Sequence, residues 1–315
     1  PGAGAAILKL IGGLVLIGEA SAYPHGSKQP QRVEEGKVVL LTGGNTGIGK
    51  ATAIALAKLG AQVTITSRNP EKGEAALAEI RRASGNDSVQ CRRLDLASLA
   101  AVRGFAAEFI ADHPRLDVLI NNAGLMLSER SETVDGFETT FGVNHLGHFV
   151  LTQELLPLLK RSAPARIVVL ASDAHRGALR GLNFDDLQSR RSYVGLPVYC
   201  RSKLANLLFT LELAERLRGS GVTVNAVHPG TVASEFGSAD DTSGVFGFLM
   251  KLSRWAMISP EKGALTSVHV ASAPEGAEVS GRYFVRCKQV RPSRAALDRG
   301  AALRLWEVSE QLTRA

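Results

Sequence analysis

The sequence predicts an α/β fold: a single doubly wound parallel sheet with helices on both faces. Three observations carry that expectation. From residue 37 onward, short apolar, β-branched runs alternate with longer amphipathic stretches, the pattern of βαβ units. The short runs have few polar positions, as strands covered by helices on both faces must. The first of them leads at once into a glycine-rich turn and a helix. With 315 residues, 45% hydrophobic and 21% charged, the chain can bury a large core, and disordered, collagen-like and disulfide-scaffold classes are excluded.

Taken in order, residues 5–18 (AAILKLIGGLVLIG) are apolar except for Lys9. Fourteen residues fall short of the roughly 20 that span a bilayer. A signal-like segment, an interfacial anchor and the remainder of a longer span all stay open. Residues 19–36 carry Pro24, Gly26 and Pro30 and read as a linker. Lys28, Arg32 and Lys37 would hold this side in the cytosol if the run is an anchor. The expected location is cytosol-facing, anchored to the endoplasmic reticulum by that segment, or otherwise cytoplasmic. Residues 37–315 are expected to form one domain.

Strands are expected at 38–42 (VVLLT), 62–67 (QVTITS), 88–94 (SVQCRRL), 117–121 (DVLIN), 166–172 (RIVVLAS) and 222–228 (VTVNAVH). Helices are expected at 49–60 and from about 197 to 218. A further helical pattern at 245–257 sets Val245, Phe248, Leu249, Leu252 and Trp255 on one face and Lys251 and Arg254 on the other. It fits a helix packed on its own core, a contact with a second subunit in a homo-oligomer, or a lid whose basic outer face rests on a membrane surface.

The turn after the first strand reads Thr42-Gly43-Gly44-Asn45-Thr46-Gly47-Ile48-Gly49. Glycines at a strand-to-helix junction let the backbone approach a pyrophosphate, whose charge is favoured by the free N–H groups and dipole of the helix start. Downstream, in order, come Asp95-Leu96, Asn121-Asn122-Ala123-Gly124, Asn144, Ser172, Tyr199-x-x-x-Lys203 and Pro229-Gly230. With these pieces the chain resembles the short-chain dehydrogenase/reductase family. The details NTGIGK, VNHLGHF, SKLANLLFT and HPGTV are similar to its retinol dehydrogenase branch.

That resemblance implies a Rossmann-type fold and an NADP(H)-dependent oxidoreductase that interconverts a lipophilic alcohol with its aldehyde or ketone. It assigns cofactor contacts to Gly43, Asn45, Thr46, Gly47, Ile48 and Gly49, to Asp95 and Leu96 at the adenine, and to Asn122, Ala123 and Gly124 at the ribose. A further turn, Pro229, Gly230, Thr231 and Val232, is implied to meet the cofactor. Tyr199 and Lys203, four apart on a helix, share one face, with the phenol as acid/base and the ammonium also holding the nicotinamide ribose. Ser172 can donate to a substrate oxygen as charge develops on it, and the family places Asn144 in a water relay behind the lysine.

The second strand ends in Ser67-Arg68-Asn69, with no acidic residue to take a 2′-hydroxyl. An arginine there can hold a 2′-phosphate, which favours NADP(H); a solvated strand-end charge is the plainer alternative for Arg68. Lys50 would add positive potential, but the basic residue many NADP-dependent relatives carry is Thr46 here. The 27-residue interval from Ser172 to Tyr199 is long, and its segment 177–197 is expected to form a wall of the substrate site.

Other classes fit less well. The formal charge of +7 comes from 37 basic and 30 acidic residues, but with 5% aromatics and scattered arginine pairs no nucleic-acid surface is indicated. Cys91, Cys200 and Cys287 form no metal cage or disulfide framework. His145 and His148 lack further ligands and read as packing or surface residues, so no metal is expected. Two alternatives remain: a carbonyl reductase of steroids or small polar carbonyls, and a non-catalytic NADP-sensing scaffold, which would be expected to have lost Ser172, Tyr199 or Lys203.

Overall fold

The computed structural model describes residues 35–230 and 258–314. The apolar segment at 5–18, all but the end of the linker, Thr231, Val232 and the helical pattern at 245–257 lie outside the described residues. Each expected strand forms: β1 (Val38–Leu41), β2 (Gln62–Ser67), β3 (Val89–Arg93), β4 (Val118–Asn121), β5 (Ala165–Leu170) and β6 (Val222–His228). Two more, β7 (Tyr283–Val285) and β8 (Lys288–Val290), complete a sheet of order β3-β2-β1-β4-β5-β6-β7-β8.

The expected parallel sheet forms, and one antiparallel strand is added at its edge. Pairing is parallel from β3 through β7, but β8 returns antiparallel to β7. The two residues joining them, Arg286 and Cys287, both sit at positive φ, 51° and 60°, the backbone a tight two-residue hairpin demands. The Cys287 N–H donates to Thr266 Oγ1 at 3.3 Å, anchoring a turn that no glycine eases.

Helices cover the sheet as α1 (Gly47–Lys58), α2 (Pro70–Ser84), α3 (Leu99–Asp112), α4 (Thr139–Phe141), α5 (Gly147–Arg161), α6 (Gly195–Arg216), α7 (Pro260–Ser272), α8 (Pro274–Glu278) and α9 (Arg299–Thr313). Because strand side chains alternate in direction, neighbouring residues feed different cores. Val38 and Leu40 join Leu119, Ile167, Val169 and Val224 under α3, α5 and α6. Val39 and Leu41 join Val63, Ile65, Ile120 and Val168 under α1, α2 and α7. Trp306 of α9 stacks on Phe209 with ring centroids 6.0 Å apart, under the Arg216 guanidinium at 4.2 Å.

Sheet order reverses between β1 and β4, so their crossovers leave to opposite faces and open a crevice at the carboxyl ends of the strands, where doubly wound folds bind ligands. No described helix is long and apolar enough to cross a membrane.

Candidate active site

The glycine turn lies at that crevice. Gly43 takes φ +68°, and a Cβ there would stand 3.0 Å from Ala123. At Gly49 a Cβ would lie 2.1 Å from the Gly43 carbonyl oxygen and 2.6 Å from Asn122 Nδ2. The turn is thus closed on itself as well as on the end of β4. Thr46, at the N-cap of α1, makes no side-chain cap bond, and the first turn of α1 holds no acidic residue. These are the features of a cradle for a diphosphate: close backbone approach and helix N–H groups without a side-chain acceptor. Asn45, Gly47 and Ile48 fall in the same turn.

Thr42 secures the cradle. Its Oγ1 accepts from the N–H groups of Asn122 and Ala123 at 2.9 and 3.0 Å and pairs with His148 Nε2 at 2.8 Å. His148 Nδ1 faces the Asn144 carbonyl at 3.3 Å. A carbonyl only accepts, so Nδ1 carries the proton and Nε2 receives the Thr42 hydroxyl. Burial drives the His148 pKa down to about 4, which keeps that ring neutral. Asn122 Nδ2 adds donations to the carbonyls of Thr42 and Gly43 at 2.7 and 3.1 Å. Neither histidine was legible as a strut from sequence. His145 is buried too, bonding Ser309 Oγ of α9 at 2.8 Å.

Asn144 lies in a single π turn, Gly142–Leu146, between α4 and α5. Such turns interrupt the regular ladder and are frequent at functional sites. Its Oδ1 accepts from Leu125 N at 2.8 Å, and Nδ2 donates to Leu125 O at 2.9 Å and Ser202 Oγ at 3.0 Å. The amide expected in a water relay is therefore engaged on both atoms by protein groups. Gly124 closes the gap: a Cβ there would meet Asn144 Oδ1 at 3.3 Å and Lys203 Nζ at 3.4 Å.

Ser172 sits two residues beyond β5, at the N-cap of a 3-10 helix, Asp173–Gly177, where its Oγ accepts from Ala174 N at 3.1 Å. Oγ also shares a hydrogen bond with the Tyr199 phenol. Tyr199 and Lys203 both project from α6, with Nζ 5.6 Å from the tyrosine ring centroid. Lys203 is 3% exposed. Its Nζ donates to Leu170 O at 3.2 Å, an oxygen that Asn206 Nδ2 also reaches at 3.0 Å. Burial lowers the lysine pKa to about 8. Burial likewise pushes the Tyr199 phenol well above its ordinary range, opposed by the Ser172 bond. In this environment desolvation dominates and the phenol is held protonated.

The remaining positions divide. Asp95 Oδ1 accepts from Ala97 N at 3.0 Å, and Leu96 backs onto the start of α5, where a Cβ on Gly147 would be 2.5 Å from its carbonyl oxygen. Asn69 caps α2 through Lys72 N at 2.8 Å. Arg68 is exposed at the end of β2, without a hydrogen bond or ion pair among the described residues. Lys50, expected to add positive potential, is bound to Glu79 at 2.7 Å, so its charge is already answered within the protein. Pro229 and Gly230 follow β6, with Gly230 at φ +91°.

Tyr193 is a coil residue whose hydroxyl donates to Leu127 O at 3.2 Å and approaches Glu138 Oε1 at 3.5 Å. Glu138, fully buried, caps α4 through Thr140 N and Phe141 N, both at 2.7 Å. Segment 177–197 is thereby tied to the helix start that precedes Asn144.

Comparison with known proteins agrees with this geometry. The sequence model of the short chain dehydrogenase family matches residues 37–243. Retinol dehydrogenase 12 of Mus musculus is 50% identical over 277 residues, covering 88% of this chain and 86% of its own. Retinol dehydrogenase 14 of Homo sapiens is 47% identical, covering 87% and 85%. Among solved structures, an uncharacterized protein from Mycobacterium Paratuberculosis superposes with a TM-score of 0.72 at 36% identity, over 93% of this chain and 98% of that one. The Pseudomonas aeruginosa RhlG/NADP active-site complex gives 0.64 at 28%, over 81% and 96%. A crevice at the β1/β4 reversal, lined by the glycine turn, Ser172, Tyr199 and Lys203, on a chain this similar to those proteins, places it: it belongs to the short-chain dehydrogenase/reductase family, in the retinol dehydrogenase-like branch.

Proposed function

We propose that this protein is an NADP(H)-dependent oxidoreductase that reduces a lipophilic aldehyde or ketone of the retinaldehyde type to its alcohol, and runs the reverse reaction when the alcohol is in excess. The observation that carries the reading is the convergence of Ser172, Tyr199, Lys203 and Asn144 beside the glycine turn. When bound, the nicotinamide supplies the hydride in reduction or takes it up in oxidation. Tyr199, held protonated by burial, gives its proton to the carbonyl oxygen as charge develops there. The Ser172 hydroxyl, its oxygen held by the Ala174 N–H, donates to the same oxygen. Lys203, seated on the Leu170 carbonyl, lowers the cost of the tyrosinate that results and holds the nicotinamide ribose. Asn144 keeps Leu125 and Ser202 in register behind them.

The choice of NADP(H) rests on Arg68, exposed and unpartnered among the described residues beside a strand end with no carboxylate, and on the NADP complex of the RhlG relative. The lipophilic substrate rests on the retinol dehydrogenase relatives. The same reading treats residues 37–315 as one cofactor-binding and catalytic domain, with 5–18 as its membrane anchor.

The test is NADPH consumption against retinaldehyde, long-chain alkanals, steroids and small polar ketones. Retinaldehyde and long alkanals should give the highest kcat/KM, and polar ketones reacting better would overturn the substrate assignment. In Tyr199→Phe turnover should vanish while NADPH binding persists; near-normal turnover would sink the mechanism.

A further inference from the structure

We infer that His175 is a positioning residue for Ser172: its imidazole is a neutral strut that fixes the serine's main chain against the segment leading into α9. The inference rests on the reading of Ser172 given above.

Ser172 lies beyond the last residue of β5, so the strand itself does not define where its side chain points. Its carbonyl oxygen accepts instead from the His175 backbone N–H at 3.0 Å and from His175 Nδ1 at 2.6 Å. On the far side of the ring, Ser293 N donates to Nε2 at 3.0 Å. Each partner has one fixed role, since a carbonyl accepts and a backbone N–H donates. The ring therefore exists as the neutral tautomer with its proton on Nδ1. His175 is 0% exposed, and Tyr283 stands edge-on to it with centroids 5.4 Å apart and planes at 82°. The Tyr283 hydroxyl donates to Asp173 Oδ1 at 3.1 Å, holding the next residue of the same turn.

Filling this volume needs only an apolar ring, and burying an imidazole costs free energy unless both nitrogens are satisfied. Both are, and one of them acts on the carbonyl of Ser172. That directional pair is what distinguishes a positioning role from packing. Ser293 is the N-cap residue of the 3-10 helix Arg294–Leu297, just ahead of α9, so the strut ties Ser172 to the C-terminal part of the chain through a bond that spans 118 residues from His175.

Two substitutions separate the arms. In His175→Asn the amide nitrogen replaces Nδ1 and keeps the bond to Ser172 while losing Ser293. In His175→Gln the amide reaches the Nε2 position and keeps Ser293 while losing Ser172. With saturating NADPH and retinaldehyde, His175→Asn should stay within about threefold of the wild-type kcat, and His175→Gln should fall by tenfold or more, roughly the penalty for slight misplacement of a reacting group. The KM for NADPH should stay unchanged in both. Equal losses in the two variants, or a wild-type kcat in His175→Gln, would overturn the proposal.

Ser293→Pro provides a check if either variant melts early. Residue 293 has φ −62°, which proline adopts without strain, and the change removes the N–H together with a buried hydroxyl that has no hydrogen-bond partner among the described residues. Its kcat should fall by the same factor as His175→Asn, and combining the two should bring no further loss; additive losses would overturn the strut. Ser172→Ala separates the two levels of the argument. If it keeps normal turnover, the role given to Ser172 fails and the strut with it. If it loses turnover while His175→Gln does not, only the strut fails.

Discussion

Replacing Thr42 by valine changes one atom group at the centre of the cradle. The side chain is 0% exposed and its hydroxyl serves the N–H groups of Asn122 and Ala123 together with His148 Nε2. Valine has the same shape, so packing is preserved, but two backbone donors lose their acceptor and the buried His148 Nε2 loses its donor. At about 1–3 kcal/mol for each unsatisfied group the loss is about 3–9 kcal/mol, a large part of the roughly 5–15 kcal/mol that folded domains possess. Thr42→Ser keeps the hydroxyl and gives up one methyl, for about 1 kcal/mol. Equilibrium urea unfolding followed by far-UV circular dichroism should therefore rank wild type, serine and valine in that order, with unchanged slopes. NADPH affinity should follow the same order, because Asn122 and Ala123 lie at the expected ribose position. A valine variant within 1 kcal/mol of wild type would refute the assignment of Thr42 as the acceptor that holds β4 to the turn.

Arg68→Ala removes an exposed side chain with no protein partner among the described residues, so stability should not change while the ratio of kcat/KM for NADPH over NADH falls about ten- to a hundredfold; a wild type that prefers NADH would refute the cofactor choice. Lys203 has its pKa lowered to about 8, so the ammonium is present below that pH and lost above it. The kcat/KM for NADPH, which reports the free enzyme, should decline as pH rises through about 8, and a flat profile up to about pH 9.5 would contradict the burial of that charge. The sign for folding is opposite: between about 8 and 10.5 the unfolded chain holds the lysine proton that the folded chain has released, so this group makes stability rise with pH across that window.

The parallel sheet was legible because its signal is local and redundant. Strand β1 reads as apolar residues that serve alternate faces, and each crossover has length enough for a helix. The edge was not: β7 and β8 have three residues each, and their turn uses Arg286 and Cys287 where the usual hairpin cue is Asn-Gly. The same contrast holds at the site. Glycines and the Tyr-x-x-x-Lys spacing announce themselves within one element, and the structure brings them together. Thr42, His148, Glu138 and His175 act through partners from 2 to 118 residues away, and for His148 and His175 no nearby spacing marks which nitrogen bonds to what. The Lys50 ion pair was hidden for a related reason, since Glu79 lies on another helix.

The reach of Thr42 also constrains how the protein is made. Its acceptor duties wait for Asn122 and Ala123, about eighty residues on, and its hydroxyl waits for His148, 106 residues on. At about 5–20 residues per second, synthesis spends on the order of 5–20 s between these points. During that interval β1 can pair with β2 along one side, but its other side, which β4 will occupy, presents unpaired backbone between apolar side chains. A nascent chain halted near residue 115 therefore offers a hydrophobic strand edge to chaperones or to other chains, and the nucleotide cradle comes into being only when the fourth strand arrives.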